Sequence, residues 1–254
     1  MHHEENGQGI PLLLIHGFPH DHTLWEPQLG GLQDAARVIA PDLRGFGIGE
    51  EVPQTMTMDD YAADLKTLVD DLGIEKAVIC GLSMGGYVAL AFLARYPEVT
   101  QGLILCNTRP GADNEKAREG RYATAQKALD GGMAAIAEGM LPKMISERSA
   151  LARPDLSMFV ENMMAHQSSE AVAAASRGLA IRPDRTAMLS SIKVPTLIIT
   201  GSADTLIPPS ESEAMAAAIP GCELVVIPGV AHLSNLEDPV AFNAAVRAFL
   251  QRVN

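Results

Sequence analysis

The stretch Gly81-Leu82-Ser83-Met84-Gly85-Gly86 constrains this chain more than any other. Before it, Val78-Ile79-Cys80 reads as the end of a buried strand. After it, Met84 to Tyr96 reads as a helix with few polar interruptions. A chain that passes from strand to helix at a single serine must turn sharply. The serine takes a strained backbone conformation, and bulky neighbours would clash across the turn, so glycines flank it. Gly81-x-Ser83-x-Gly85 fits the elbow that lifts a nucleophilic hydroxyl clear of a sheet, and its confirming context is a strand before and a helix after. The N-terminus of that helix would face the atom where negative charge develops. The same five residues also serve as an ordinary tight turn, so the flanking elements carry the weight.

The rest of the chain repeats short apolar strands and helices. Strands are predicted over 10–15, 37–40, 76–80, 102–106, 194–200 and 223–227. Helices are predicted over 57–72, 84–96, 210–218 and 239–252, with Asp59 and Asp60 suited to the first turn of the one at 57–72. Residues 113–185 are rich in Ala, Met, Glu, Lys and Arg and have no clear β run; helices are predicted near 114–129, 133–141, 156–166 and 169–181. The expected fold is α/β: a mostly parallel central sheet with helices on both faces. Residues 1–112 and 186–254 form the core, and 113–185 are inserted as a helical cap or lid.

Composition bounds the function. The 254 residues carry a formal net charge of -12, which argues against nucleic acid and anionic membrane surfaces as partners. No N-terminal run is long and apolar enough for a signal peptide or a spanning helix, which predicts a cytoplasmic protein. Cys80, Cys106 and Cys222 fall in or beside apolar runs, so buried free thiols are expected rather than a disulfide framework. Monomer and homodimer are both open.

Parallel α/β sheets build sites beyond the carboxyl ends of their strands. Ser83, Asp204 and His232 each follow a predicted strand, in the chain order of the hydrolase elbow. Ser83 is the candidate nucleophile, His232 the general acid/base, and Asp204 the group that orients the imidazole. Backbone N–H groups of Met84 and Phe18 are the candidate oxyanion hole, Phe18 lying in His16-Gly17-Phe18-Pro19. Asp204 would also serve as a cap for the helix near Pro208, and His232 as a loop histidine. Asp42 competes for the acid role, although Asp42-Leu43-Arg44 reads as a salt-bridged turn; Asp113 competes more weakly. His20-Asp21-His22 lacks a second cluster with ligand spacing, so it reads as a polar loop near the entrance and no metal is expected. No dinucleotide fingerprint is present either, so no cofactor is expected. Six methionines lie between Met133 and Met164. An adaptable apolar pocket is expected from Trp25, Met133, Met140, Met144, Phe159 and Met163.

In order, Leu12–Phe18, Pro41–Gly47, Gly81–Gly86, Gly201–Asp204 and Gly229–His232 resemble the signature blocks of the α/β-hydrolase superfamily. The stretch 59–86 is similar to small bacterial carboxylesterases and to 3-oxoadipate enol-lactonase-type enzymes. The resemblance implies a hydrolase of carboxylic esters with small to medium acyl chains, and alternatively an enol-lactonase using the same three residues. A dicarboxylate substrate would call for an arginine, and Arg118, Arg121, Arg177 and Arg182 are available; all four also read as solvated helix charges. Perhydrolysis, with peroxide replacing water on the acyl-enzyme, stays open as a side activity, and a non-catalytic binding protein on the same scaffold is the reading from a different class. His16-Gly17-Phe18-Pro19 also resembles epoxide hydrolases and dehalogenases, but those attack with an aspartate where this chain has Ser83. The family usually begins with an additional strand and hairpin. Residues 1–9 are too short for both, so the sheet is expected to lack its first strand.

Overall fold

In the computed structural model, which describes residues 1–48 and 51–253, alternating apolar segments assemble a seven-stranded sheet. Gly49, Glu50 and Asn254, part of the expected core, lie outside the described residues. The strands are β1 (His3–Asn6), β2 (Pro11–Ile15), β3 (Arg37–Pro41), β4 (Ala77–Leu82), β5 (Thr100–Cys106), β6 (Thr196–Gly201) and β7 (Glu223–Ile227), in spatial order β1-β3-β2-β4-β5-β6-β7. All neighbours run parallel except β1, which pairs antiparallel with β3 from His3 opposite Pro41 to Asn6 opposite Val38. Residues 1–9, expected to be too short for a strand and a hairpin together, form one polar four-residue edge strand that the sequence reading did not predict.

The inner strands are apolar at nearly every position because both faces are covered. Leu13 and Ile15 of β2, Ile79 of β4 and Leu103 and Leu105 of β5 enter one core layer. There they meet α2 (Met58–Asp71) and α3 (Met84–Arg95). Leu12, Leu14, Val78, Cys80, Ile104 and Cys106 point the other way. Trp25, just before α1 (Glu26–Gly31), shares that layer with Phe242, Val246 and Phe249 of α11 (Pro239–Val253). Thr57 and Asp60 close the N-terminus of α2 with a reciprocal capping box. Asp59, the other predicted first-turn acid, instead pairs with Arg185 at 2.9 Å.

Between β5 and β6 come α4 (Glu115–Leu129), α5 (Met133–Met144), α6 (Glu147–Ala152), α7 (Pro154–Ala165) and α8 (Ser169–Ala180). Gly178 of α8 lies against the chain just before α2: a Cβ there would come within 1.7 Å of Met56 O. At the other end, Glu237 of α10 (Ser234–Glu237) accepts from Ser146 N–H at 3.0 Å and its hydroxyl at 2.6 Å. The remaining helix, α9 (Pro209–Ala218), follows β6.

Cys80 and Cys106 are buried neighbours with sulfurs 3.8 Å apart, whereas Cys222, expected buried, is half-exposed. Among the described residues no helix is long and apolar enough to cross a membrane.

Candidate active site

The parallel register sets the site. Ile15 lies opposite Gly81, Leu82 opposite Cys106, and Gly201 opposite Ile227, so the carboxyl ends of β2, β4, β5, β6 and β7 share one edge. The next residue after β4 is Ser83, at φ 54 and ψ -113, a conformation of the strained kind that costs on the order of 1–3 kcal/mol. Its surroundings hold it there. Ser83 N–H donates to Cys106 O at 2.9 Å, and Ser83 O accepts from Gly86 N–H and from the Thr108 hydroxyl at 2.8 Å. A Cβ on Gly81 would sit 2.1 Å from Gly85 O, and one on Gly85 would sit 2.1 Å from Ile15 O. The elbow glycines are thus required by close backbone approach.

Asp204 and His232 meet at the same edge. Both are buried, and His232 Nδ1 lies 2.8 Å from Asp204 Oδ2. Asp204 Oδ2 also accepts from Asn107 Nδ2, while Oδ1 accepts from Leu206 and Ile207 N–H. Burial acts to raise the Asp204 carboxyl. The hydrogen bond and charge of His232, with the donors on Ile207 and Asn107, outweigh it and hold the carboxyl below its usual range. The ionised carboxylate only accepts, so Nδ1 carries a proton, and in the neutral imidazole this leaves the lone pair on Nε2. Gly201 makes room for the loop bearing His232: a Cβ there would lie 2.2 Å from Ala231 O. That loop is fixed by Leu233 N–H donating to Met144 O at 2.8 Å and Ala231 N–H donating to Glu237 Oε1 at 2.6 Å.

Asn107 and Thr108 are functional candidates that the sequence reading missed. They follow β5 directly and join the elbow to the acid: Thr108 bonds Ser83 O, and Asn107 bonds Asp204, Ala231 O and Ser234. The available signal was their place one and two residues beyond the end of β5, at the sheet edge that also carries Ser83 and Asp204.

The competing acids have other partners. Asp42 accepts from His22 Nδ1 at 2.8 Å, from His22 N–H and from Ile48 N–H. Arg44 pairs with Asp64, so the expected salt-bridged turn within Asp42-Leu43-Arg44 does not form. Asp113 is ringed by arginines. The segment His20-Asp21-His22 splits apart. Asp21 caps the turn at Thr23 and accepts from Gln167, His22 turns to Asp42, and His20 is buried with neither ring nitrogen hydrogen-bonded among the described residues. Burial, and then the charges of His16 and His232, lower His20 to about 3. His2, His22 and Asp42 do gather, with ligand atoms within 4.8 Å of one another. His16 is lowered by burial, partly offset by its bond to Gly17 O; its Nε2 accepts from Leu43 N–H, tying the loop after β2 to the loop after β3.

The cavity at Ser83 encloses about 100 Å³. Phe18, Met84, Tyr87, Arg109, Arg121 and Met140 are on its wall. An outer cavity of about 290 Å³ shares Phe18, Arg121 and Met140, and adds Met144. Of the six expected pocket residues, Met140 and Met144 line these cavities. Trp25 does not: it is fully buried with its ring 6.0 Å from that of Phe242. Met133 and Met163 are buried in the core, and Phe159 packs against it.

The sequence pattern of the α/β hydrolase fold family matches residues 10–239. The chain is 30% identical over 237 residues to 3-oxoadipate enol-lactonase 1 of Acinetobacter baylyi, covering 92% of this chain and 85% of that one. A thermophilic esterase from Thermogutta terrifontis, solved with malate bound, superposes with a TM-score of 0.98 at 43% identity, over 99% of this chain and 93% of that one. The enol-lactonase from Burkholderia xenovorans LB400 superposes with a TM-score of 0.92 at 30% identity, over 98% and 96%. With its fold and its sequence both matched over nearly their whole length, this chain belongs to the α/β hydrolase fold family.

Proposed function

We propose that the protein is a serine hydrolase of carboxylic esters with small to medium acyl chains. The observation that carries this reading is the buried Asp204–His232 hydrogen bond at the sheet edge where the elbow presents Ser83. Ser83 Oγ attacks the ester carbonyl while His232 Nε2 takes its proton. The tetrahedral oxyanion is received by the N–H groups of Phe18 and Met84, the latter at the first turn of α3, where N–H groups have no intrahelical acceptor. The intermediate collapses, His232 returns the proton to the leaving alcohol, and water repeats the sequence on the acyl-enzyme. Asp204 holds the imidazole tautomer and stabilises its charged form. Residues 113–185 act as the cap over this cavity, Met140 and Arg121 reaching its wall from α5 and α4.

Hydrolysis of p-nitrophenyl esters from acetate to laurate tests the reading. Turnover is expected to peak at short chains, in keeping with the small cavity, and to fall by at least about 10³-fold in Ser83→Ala. Turnover retained in that variant would overturn it. A second reading, ring opening of an enol-lactone, uses the same groups and is favoured by the enol-lactonase relatives; a lactone panel separates the two.

A further inference from the structure

The wall of the Ser83 cavity is basic, in a protein that is strongly acidic overall. Two of its lining residues, Arg109 and Arg121, belong to a cluster built on Asp113. Arg109 Nη2 lies 2.8 Å from Asp113 Oδ1, Arg121 Nε lies 3.0 Å from Oδ2, and Arg182 Nη2 lies 2.8 Å from Oδ1. One carboxylate thus faces three guanidinium groups. Burial acts to raise the Asp113 carboxyl, but the bonds and charges of Arg182 and Arg121 hold it at about 2, so it stays ionised. The hydrogen-bonded cluster therefore carries a net charge of about +2.

The three arginines are not equivalent. Arg182 is 2% exposed, donates to Leu179 O and Gly111 O, and lies over the Tyr87 ring at 4.3 Å. It is a structural partner for Asp113. Arg109 and Arg121 keep 30% and 29% exposure and reach the cavity wall, so the excess charge faces the space beside Ser83. Arg109 Nε is buried there with no hydrogen-bond partner among the described residues. Tyr87, on the same wall, and Asp113 act on Arg109 through charge, and Tyr87 also hydrogen-bonds it; Glu211 acts on Arg109 more weakly and Asp184 feels the charge of Arg182, but neither of these two acids lines the cavity. Lys127 and Lys143 join Arg121 on the wall of the outer cavity, Lys127 also donating to Ala135 O. Neither wall carries an acidic side chain among the described residues.

We infer that Arg109 and Arg121 form a carboxylate subsite beside Ser83, and that the enzyme acts on esters or lactones bearing a second, free carboxylate. This rests on the hydrolase reading above and names its substrate class. A guanidinium presents a planar fork of donors that matches a carboxylate, and the cluster already holds one in Asp113. An excess of positive charge in a partly desolvated cavity attracts an anion that bulk water would screen, and a basic outer cavity guides it in.

The experiment compares monomethyl glutarate with methyl pentanoate, an uncharged ester of the same acyl length, by pH-stat at fixed ionic strength. The wild type is expected to favour monomethyl glutarate by at least tenfold in kcat/KM. Arg121→Gln and Arg109→Gln are each expected to lower that ratio about tenfold, mostly through KM, and Arg121→Lys to restore part of it. A ratio near one in the wild type, or one that the variants leave unmoved, overturns the subsite. Calorimetric titration of glutarate into Ser83→Ala, with and without Arg121→Gln, reads the subsite without catalysis. Binding weakened by Arg121→Gln, with no turnover of either ester by the wild type, supports the subsite and overturns the hydrolase reading. Turnover of both esters with no arginine dependence overturns the subsite alone.

Discussion

Asn107 Nδ2 donates to Asp204 Oδ2 at 2.9 Å, on the same oxygen that receives His232 Nδ1. Asn107 holds this position at φ 46, a left-handed conformation that asparagine tolerates better than most residues. Its side chain and its backbone are therefore separable. Asn107→Ala and Asn107→Gly are both expected to lower kcat about tenfold, since each removes a donor to a charged group worth about 1.5–3 kcal/mol. Only Asn107→Ala adds backbone strain, of about 1–2 kcal/mol, so it is expected to melt lower than Asn107→Gly. Equal melting temperatures would contradict the backbone account, and an unchanged kcat in both variants would contradict the positioning role.

Gly85→Ala is expected to damage the fold as well as the chemistry. The added Cβ would lie 2.1 Å from Ile15 O and 2.7 Å from His16 O, and backbone atoms of a central strand have nowhere to go. A loss of at least about 2–3 kcal/mol is expected from denaturant midpoints, at the severe end for one added methyl.

His20 links stability to pH. Its folded pKa, at about 3, lies below its ordinary value of 6.5, so between these the unfolded chain holds the proton and the native state does not. Stability is fully present above pH 6.5 and falls as pH drops toward 3, by about 1.4 kcal/mol per pH unit for each such histidine. His16 is shifted the same way and adds to the slope. His20→Leu is expected to remove His20's share of the slope between pH 6 and 4 and to be neutral or stabilising at pH 7, because a buried orphan polar ring is removed. Urea melts across that range provide the check.

Asp113 is shifted the other way for a carboxyl. Its ionised form contributes stability above the ordinary value of 3.8, lost as pH falls toward about 2. With two of its arginines partly exposed, that contribution is discounted to about 1–2 kcal/mol. Asp113→Ala at pH 7 leaves three guanidinium groups in contact and is expected to cost about 3 kcal/mol or more, read as a lower denaturant midpoint.

Strand ends were the most legible part of the sequence. Apolar runs at β2, β4, β5, β6 and β7 marked the sheet, and the residues just beyond them marked the site. The edge strand His3–Asn6 was not legible, because it is polar and mostly exposed and is held to β3 by backbone pairing and an Arg37–Glu5 ion pair rather than by an apolar face. Trp25 shows the limit of reading a pocket from a loop: its neighbours in sequence suggested the entrance, but its side chain turns into the core against Phe242. The arginines show the reverse limit. Arg121 and Arg182 read as solvated helix charges, and only the fold brings both to Asp113, a partner that their positions in the chain do not specify.

The central claim is that Ser83 is the nucleophile, and covalent trapping tests it most directly. Diethyl p-nitrophenyl phosphate reacts with an activated serine by forming an O–P bond and releasing p-nitrophenolate, leaving a phosphoryl group that peptide mapping by mass spectrometry locates. The account predicts stoichiometric modification of the peptide containing Ser83, loss of the burst in Ser83→Ala, and a much slower burst in His232→Ala. Modification at another serine, or an unchanged burst in Ser83→Ala, would contradict it.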